Sequence, residues 1–231
     1  MSSNTYSRED IGPALHAAWP ICLGYFPIGL ALGVLAEQAG IPWWAMAMMS
    51  ILVFAGSAQF ICVAMLAAGS SIAAIIGATF IINFRHALMS SALALYLNNI
   101  RRSFLALFAY GITDESFAVN MARFRAGNWN RFQALIVNHL ANSVWIIATV
   151  SGVLTGQFIP AGALGIDFAL IGMFICLLVF QLHSRIHIIT AIMAACIACT
   201  WALFVPGDSY IVGASMGAAT GGFFLNRKRN T

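Results

Sequence analysis

The sequence predicts an all-α, polytopic membrane protein with about seven to eight transmembrane segments, and two observations carry the prediction. First, the chain of 231 residues is 61% hydrophobic and only 8% charged, whereas an ordinary globular domain carries roughly 25% charged residues. Second, apolar runs of about 20 residues, long enough to cross a bilayer as helices, recur along the chain. These runs are continuous and lack the alternation of a membrane β-strand.

The apolar runs predict seven spans within one integral-membrane domain over residues 1–231, with polar tails at 1–14 and 226–231. In chain order the spans cover 15–36, 43–66, 71–97, 134–156, 163–182, 187–204 and 209–225. Two spans are predicted to be interrupted. The first contains Pro20 and Pro27, which remove helical hydrogen bonds, although a packing kink fits them equally well. The second contains the small and polar stretch Ala55–Gln59, a pattern typical of the broken helices that bind substrate in transporters.

Residues 103–122 leave two topologies open, because the segment begins apolar and then carries Asp114 and Glu115. If the segment stays on one side, the N-terminus is external and nine of the eleven Lys and Arg residues are cytoplasmic, namely Arg101, Arg102, Arg123, Arg125, Arg131, Arg185, Arg227, Lys228 and Arg229. If it crosses, Arg101 and Arg102 lie outside while Arg8 joins the cytoplasmic set, which then numbers eight. The positive-inside rule does not separate the two topologies, and both place the C-terminus in the cytoplasm.

Ionisable side chains within apolar spans are costly, so they usually mark a substrate pathway or an internal pair. Arg85 lies near the middle of its span and offers a charged fork that fits a carboxylate, while His86 can change its charge near neutral pH. Asp114 or Glu115 could hold an ammonium group, relay a proton or cap a helix. An internal ion pair between Arg85 and one of these acids is the alternative. The predicted binding or coupling residues are Gly56, Ser57, Gln59, Asn83, Arg85, His86, Asp114 and Glu115.

A second polar group lies in the span 134–156. Asn138 and Asn142 are four residues apart and share a helix face, with His139 beside it. Hydrogen bonding between helices is the expected role, with substrate contact as the alternative.

Two glycine patterns predict close contacts or duplication. Gly213, Gly217 and Gly221 form a small-residue face that could pack within the fold or against a partner subunit. Gly33-Val34-Leu35 and Gly152-Val153-Leu154 each precede a proline and an apolar run, which is compatible with an internal repeat.

No metal or cofactor is predicted. Cys196 and Cys199 form a C-x-x-C inside a span, and the pair His183 and His187 lacks an obvious third ligand. The sequence contains neither G-x-S-x-G nor H-E-x-x-H, which disfavours an enzyme. The basic residues lie at span ends, as membrane topology requires, and do not suggest nucleic acid as a partner.

Several segments in order resemble the AzlC-type branched-chain amino-acid permeases, the azaleucine-resistance family. They are Gly24-Tyr25-Phe26-Pro27-Ile28-Gly29-Leu30-Ala31-Leu32-Gly33, Phe54-Ala55-Gly56-Ser57-Ala58-Gln59-Phe60, Ala67-Ala68-Gly69, Asn83-Phe84-Arg85-His86-Ala87-Leu88-Met89 and Gly111-Ile112-Thr113-Asp114-Glu115-Ser116-Phe117. The resemblance covers about residues 20 to 120. It implies export of leucine, isoleucine and valine, and of methionine as a further candidate, across a bacterial cytoplasmic (inner) membrane. It also implies a small second membrane subunit of the AzlD type.

The resemblance and the residues agree on the leading hypothesis of an amino-acid exporter. A zwitterion needs a cation for its carboxylate and an acid or carbonyl groups for its ammonium, and an aliphatic side chain needs an apolar pocket. Arg85 is expected to serve the carboxylate, with Gln59 and the backbone near Gly56 as further partners. Two alternatives stay open: a non-transporting assembly or regulatory subunit, and a transporter of another small zwitterion.

Overall fold

The computed structural model describes residues 11–159, 168, 171, 172, 175, 178, 179, 182, 184–204 and 209–229, with only the backbone for 209–212, 215 and 226–229. In these ranges the long elements are all helices. They are α1 (Ile11–Gln38), α2 (Trp43–Val53), α3 (Gly56–Ala67), α4 (Ile72–Ala94), α5 (Arg102–Tyr110), α6 (Asp114–Arg125), α7 (Arg131–Gly156), α8 (Arg185–Phe204) and α9 (Ser209–Arg229). Of these helices, α1, α4, α7 and α8 are long and apolar enough to cross a membrane. The predicted all-α membrane fold is confirmed.

The centre of the fold is the contact between α1 and α7, which run parallel. Gly29 faces Ala148, Gly33 faces Gly152, and Glu37 faces Gly156, so the register increases in the same direction along both helices. A Cβ atom on Gly33 would overlap the carbonyl oxygen of Thr149 and lie 2.7 Å from the Cα of Gly152. Small residues at four-residue spacing thus allow the two backbones to touch.

This contact also explains part of the internal similarity seen in the sequence. Gly33 and Gly152, the first residues of the two similar triplets, face each other across the α1–α7 interface. α1 is continuous through Pro20 and Pro27, so the interruption predicted for the first span is not present.

The predicted span 43–66 is not one crossing helix but a hairpin of α2 and α3. The Gln59 side-chain amide donates to the Ser50 hydroxyl over 3.0 Å. In a continuous helix these residues would be separated by about 13.5 Å along the axis. The chain reverses at Phe54 (φ 20°) and Ala55. The predicted small and polar break therefore falls at the turn of this hairpin.

Residues 102–125 form a second hairpin, of α5 and α6, and do not cross the membrane. The Tyr96 ring, just after α4, stacks on Phe124 at the end of α6, with centroids 5.3 Å apart. At the start of α5, the Phe104 ring lies 6.0 Å from that of Phe132, at the start of α7. The end of α4, both ends of the hairpin and the start of α7 therefore lie on one side, which we name side A.

The two hairpins enter from opposite sides. Because α7 is parallel to α1, α1 also begins on side A and ends on side B. α3 and α4 are antiparallel, since Met65 packs near Ile75 while Ser57 contacts Arg85. α4 runs towards side A, so α3 ends on side B, where α2 also begins. The α2–α3 hairpin thus enters from side B and the α5–α6 hairpin from side A.

The helix bounds reveal an inverted repeat of one long helix and one hairpin. α1, α2 and α3 begin at residues 11, 43 and 56, and α4, α5 and α6 begin at 72, 102 and 114. Corresponding helices thus begin 61, 59 and 58 residues apart. The second unit runs in the opposite direction across the membrane, because α1 runs towards side B and α4 towards side A. Transporters commonly use such inverted repeats to place a site near the midplane.

The glycine face of α9 packs within the fold, against α8. Gly213 lies against the ring of Trp201, Gly217 against Ile197 and Gly221 against Met193, so the two helices are antiparallel. The predicted span 163–182 falls largely outside the described residues, and so does His183.

The charges orient the described part of the chain. Arg101, Arg102, Arg123, Arg125 and Arg131 all lie near side A, whereas the side-B loops 39–42 and 68–71 contain no charged residue. By the positive-inside rule, side A is cytoplasmic, together with the start of α1. This arrangement differs from both sequence-based topologies, because each of them counted 43–66 as a crossing span.

We expect cysteine labelling to confirm this topology. In a variant with serine at the native cysteines, Ala68→Cys should react with a membrane-impermeant maleimide added outside the cell. Asn98→Cys and Asn128→Cys should react only after the membrane is opened. Reaction of Asn98→Cys from outside in intact cells would contradict the side-A position of the α5–α6 hairpin.

The α1–α7 contact should tolerate no added carbon atom. We expect Gly33→Ala to lower the free energy of unfolding by about 2–3 kcal/mol, the upper part of the range for overpacking. Thermal unfolding of the purified protein in detergent measures this. Gly24→Ala on the same helix is the matched control, because its Cβ would meet nothing within 4 Å. Equal midpoints for the two variants would contradict the contact.

Candidate functional site

The turns of the two hairpins meet in the middle of the bundle and enclose a cavity of about 50 Å³. α1, α4 and α7 complete its wall. The lining residues are Tyr25, Ile28, Phe54, Ala55, Gly56, Ser57, Arg85, His86, Thr113, Asp114, Glu115 and Trp145. Six of the eight predicted binding or coupling residues are among them, and they come from three separate segments of the sequence.

Arg85 of α4 connects the two hairpin turns. Its Nη1 lies 2.8 Å from Oδ2 of Asp114, the first residue of α6. Its Nη2 donates to the hydroxyl of Ser57, in the first turn of α3. The two charged side chains keep 28% and 32% of their surface exposed, so the pair faces the cavity and is not sealed in the core. Of the two acids considered from the sequence, Asp114 forms the ion pair.

The second helices of the two hairpins begin differently. At the start of α6, Thr113 and Ser116 form a capping box, in which each side chain accepts from the other residue's backbone N–H. α3 begins after Ala55, which provides no side-chain cap. The first N–H groups of a helix lack internal partners and carry partial positive charge. The start of α3 at Gly56 and Ser57 therefore adds to the positive potential that Arg85 creates in the cavity.

Glu115 is held by a residue of α1. The Tyr25 hydroxyl donates to Oε2 of Glu115 over 2.6 Å and lies 2.7 Å from the Thr113 hydroxyl. The Tyr25 ring packs edge-on against Trp145, with centroids 5.3 Å apart. Tyr25 thus joins the turn of the α5–α6 hairpin to the α1–α7 pair, and its ring forms part of an apolar wall with Ile28, Phe54 and Trp145.

Gln59 lies outside the cavity lining and supports it. Its amide donates to Ser50, its carbonyl accepts from the Trp145 indole over 2.8 Å, and Ser50 in turn bonds Thr149 over 2.9 Å. This buried network fastens the α2–α3 hairpin to α7. The structure therefore places Gln59 as a residue that positions Trp145.

Asn83 and His86 connect the site to a neighbouring cavity. His86 Nδ1 lies 3.1 Å from the backbone oxygen of Asn83. Both residues line a second cavity of about 230 Å³ between Val53 and Tyr110, and His86 also lines the first. The side-chain oxygen of Asn83 is buried and has no hydrogen-bond partner among the described residues.

The polar group on α7 does not line the first cavity. Asn138 donates to the carbonyl of Phe108 and accepts from Asn120, so it ties α7 to both helices of the second hairpin. The His139 ring stacks on Tyr110, with centroids 6.1 Å apart. Asn142 is buried. Interhelical bonding, the role expected from the sequence, is what the structure shows for Asn138.

Sequence reasoning missed the aromatic side chains of the site, Tyr25 and Trp145. Both lie near the middle of long spans, whereas membrane Tyr and Trp favour the interfaces. A polar-tipped ring at mid-span needs a buried hydrogen-bond partner, and this signal could have identified both.

Comparison with known proteins finds one matching family and several related membrane proteins. The family model described as "AzlC protein" matches residues 20–159. The chain is 30% identical to the inner membrane protein YgaZ of Escherichia coli over 185 residues, which cover 76% of each chain. It is 23% identical to the branched-chain amino acid transport protein AzlC of Bacillus subtilis, over 94% of this chain and 87% of that protein. It is also 28% identical to an uncharacterized membrane protein of Archaeoglobus fulgidus, over 86% and 88%. No solved structure matches the chain.

The Tyr25 hydroxyl should contribute measurably to stability. We expect Tyr25→Phe to lower the free energy of unfolding by about 1.5–3 kcal/mol, the usual contribution of a hydrogen bond to a charged group. Thermal unfolding in detergent measures the loss. Tyr96→Phe is the matched control, because that ring is 40% exposed. If the two variants unfold together, the Tyr25–Glu115 bond does not hold the hairpin to α1.

Proposed function

This chain belongs to the AzlC family of membrane proteins, and we propose that it exports branched-chain amino acids across the bacterial cytoplasmic membrane. Leucine, isoleucine and valine are the proposed substrates, with methionine as a further candidate. Two relatives support this proposal by their names: one is a branched-chain amino acid transport protein and another is an inner membrane protein.

The observation that carries the proposal is the position of Arg85 between the two hairpin turns. Among the described residues, the lining of this cavity contains one arginine, two carboxylic acids and an apolar wall. Arg85 and the start of α3 fit the substrate carboxylate, because guanidinium groups and helix N-termini both favour anions. Asp114 or Glu115 fits the ammonium group. Ile28, Phe54 and Trp145 fit an aliphatic side chain, which needs no polar partner.

The size of the cavity implies movement during transport. A volume of about 50 Å³ holds a few water molecules. An engineered apolar cavity of roughly 150 Å³ binds benzene, whose six carbon atoms are fewer than the heavy atoms of leucine. The hairpins must therefore move apart to admit an amino acid. Since they enter from opposite sides, displacement of one at a time would open the site to one side at a time.

The proposed moving and fixed parts follow from the packing. The α1–α7 pair has backbone contact through its glycines and forms the fixed part. The hairpin turns are connected to it by side-chain bonds, such as Tyr25 to Glu115 and Trp145 to Gln59. Phe54 and Phe60 of the α2–α3 hairpin also pack in the apolar core of α1 and α7, so movement of this hairpin separates apolar contacts as well as these bonds. His86, adjacent to Arg85 and lining the cavity, is the proposed proton-linked switch.

We also propose a small membrane subunit of the AzlD type as partner. α8 has no buried residue in the described structure and presents large apolar side chains, including Leu203 and Phe204. This surface is suited to lipid and to a second apolar helix alike. Transport is therefore to be measured with and without the subunit.

Replacement of Arg85 should abolish transport. Counterflow of radiolabelled leucine in proteoliposomes should fall about thirtyfold or more in Arg85→Ala, because loss of one partner of a hydrogen-bonded charge pair costs about 2–5 kcal/mol. Arg102→Ala, an exposed arginine at the start of α5, is the matched control and should retain exchange.

Folding must be checked in the same preparation. If Arg85→Ala elutes as a single folded species and still exchanges leucine at the rate of the unmodified protein, the proposed site is wrong. If no preparation exchanges leucine, with or without the small subunit, the substrate is another zwitterion or the chain is a non-transporting subunit.

A further inference from the structure

We propose that the substrate binds by inserting between Arg85 and Asp114, and that Asp114 thereby restricts the site to zwitterions. The inference rests on the proposed transport of amino acids. It extends that proposal by assigning the ammonium group to Asp114 rather than Glu115, and by explaining why a simple carboxylate or amine is refused.

The nitrogen atoms of Arg85 determine where a substrate carboxylate can bind. Its Nη1 is taken by Asp114 and its Nη2 by Ser57. Its Nε is buried and finds no partner among the described residues, so it is not presented to the cavity. A carboxylate arriving from the cavity therefore meets the two Nη atoms. It must compete there with the carboxylate of Asp114, which the fold holds at high effective concentration.

The charges of Arg85 and Asp114 must both be compensated when a ligand binds. The pair lies between the two hairpin turns, near the middle of the membrane, where an uncompensated charge is costly. A monocarboxylate that displaced Asp114 would leave that acid without a cation, beside Glu115. An amine that captured Asp114 would leave Arg85 without the anion with which it is paired. A zwitterion compensates both, because its carboxylate takes Arg85 while its ammonium takes Asp114.

The two adjacent acids, Asp114 and Glu115, have different partners. Glu115 accepts from the Tyr25 hydroxyl and makes no ion pair with Arg85. Removing its charge would not change the compensation of Arg85. His86, the remaining titratable group of the wall, is adjacent to Arg85 on α4, and its ring bonds the backbone of Asn83. Among the described residues that line the cavity, Asp114 alone forms an ion pair with Arg85, the cation that the substrate carboxylate needs.

The experiment compares three ligands that share the branched apolar end of leucine. Leucine, 4-methylpentanoate (leucine without its ammonium) and 3-methylbutylamine (leucine without its carboxylate) are titrated into the purified full-length protein. Ligand-induced shifts of the unfolding midpoint report binding without requiring transport. Asp114→Asn is the test variant and Glu115→Gln the matched control, since both substitutions remove one carboxylate charge from neighbouring positions.

The unmodified protein should be stabilised by leucine and not by the other two ligands. Glu115→Gln keeps the pair of Arg85 with Asp114 and should therefore gain no affinity for 4-methylpentanoate. Asp114→Asn should bind 4-methylpentanoate at least about tenfold more tightly than the unmodified protein, because the internal competitor has been removed. If Asp114→Asn gains no affinity for 4-methylpentanoate, or if Glu115→Gln gains as much, the inference is wrong.

A second variant covers a failure to fold. Asp114→Asn leaves Arg85 without an anion, so purification with 4-methylpentanoate present should rescue it. If that variant still does not accumulate, the double variant Arg85→Gln/Asp114→Asn should fold, because it removes both charges. A double variant as unstable as Asp114→Asn would show that Asp114 does not act by charge compensation.

The outcomes separate this inference from the proposed function. If the unmodified protein exchanges leucine but Asp114→Asn gains nothing for the monocarboxylate, export stands and insertion fails. If the unmodified protein ignores leucine but Asp114→Asn binds 4-methylpentanoate, the ion pair is a zwitterion filter and the natural substrate is another zwitterion.

Discussion

The charge of Arg85 is the constraint on which the rest of the site depends. A guanidinium group near the middle of a membrane must be compensated, and this chain does so with the turns of two hairpins that enter from opposite sides. The ion pair with Asp114 and the bond to Ser57 therefore draw the hairpins together. The same contacts close the cavity, so a ligand that enters between Arg85 and Asp114 has to break the ion pair that holds the two turns together.

The two hairpins need a rigid part of the fold to support them. The parallel α1–α7 pair supplies it, because Gly33 and Gly152 allow direct backbone contact, which leaves little room for sliding. Tyr25 and Trp145 lie at the middle of these two helices, and their side chains line the cavity. Each connects to a different hairpin, Tyr25 through Glu115 and Trp145 through Gln59. The polar cavity is thus fixed to the α1–α7 pair by directional bonds and by apolar packing.

The inverted repeat explains why the site lies at mid-depth. Each unit is one long helix followed by a hairpin too short to cross, and the second unit is inverted relative to the first. Two hairpins of similar length from opposite sides must meet near the middle. The units differ where they meet: α6 begins with two acids and a capping box, whereas α3 begins with uncapped backbone at Gly56. The resulting difference in charge suits a ligand with unlike ends.

Composition and apolar runs by themselves determined the membrane class, most helix positions, the small and polar turn near Gly56 and most of the charged residues of the site. These features are local, since burial of an ionisable group in an apolar run is costly wherever the run folds. Only the tertiary structure decided that 43–67 and 102–125 fold back. The first segment is an apolar run long enough either to span or to form a hairpin, and the second begins apolar but then carries Asp114 and Glu115, which left its path open. The tertiary structure also decided that Asp114 and not Glu115 pairs with Arg85, and that Tyr25 and Trp145 complete the site. Those choices depend on which helix faces meet across long sequence separations, and that information is not contained in any single segment.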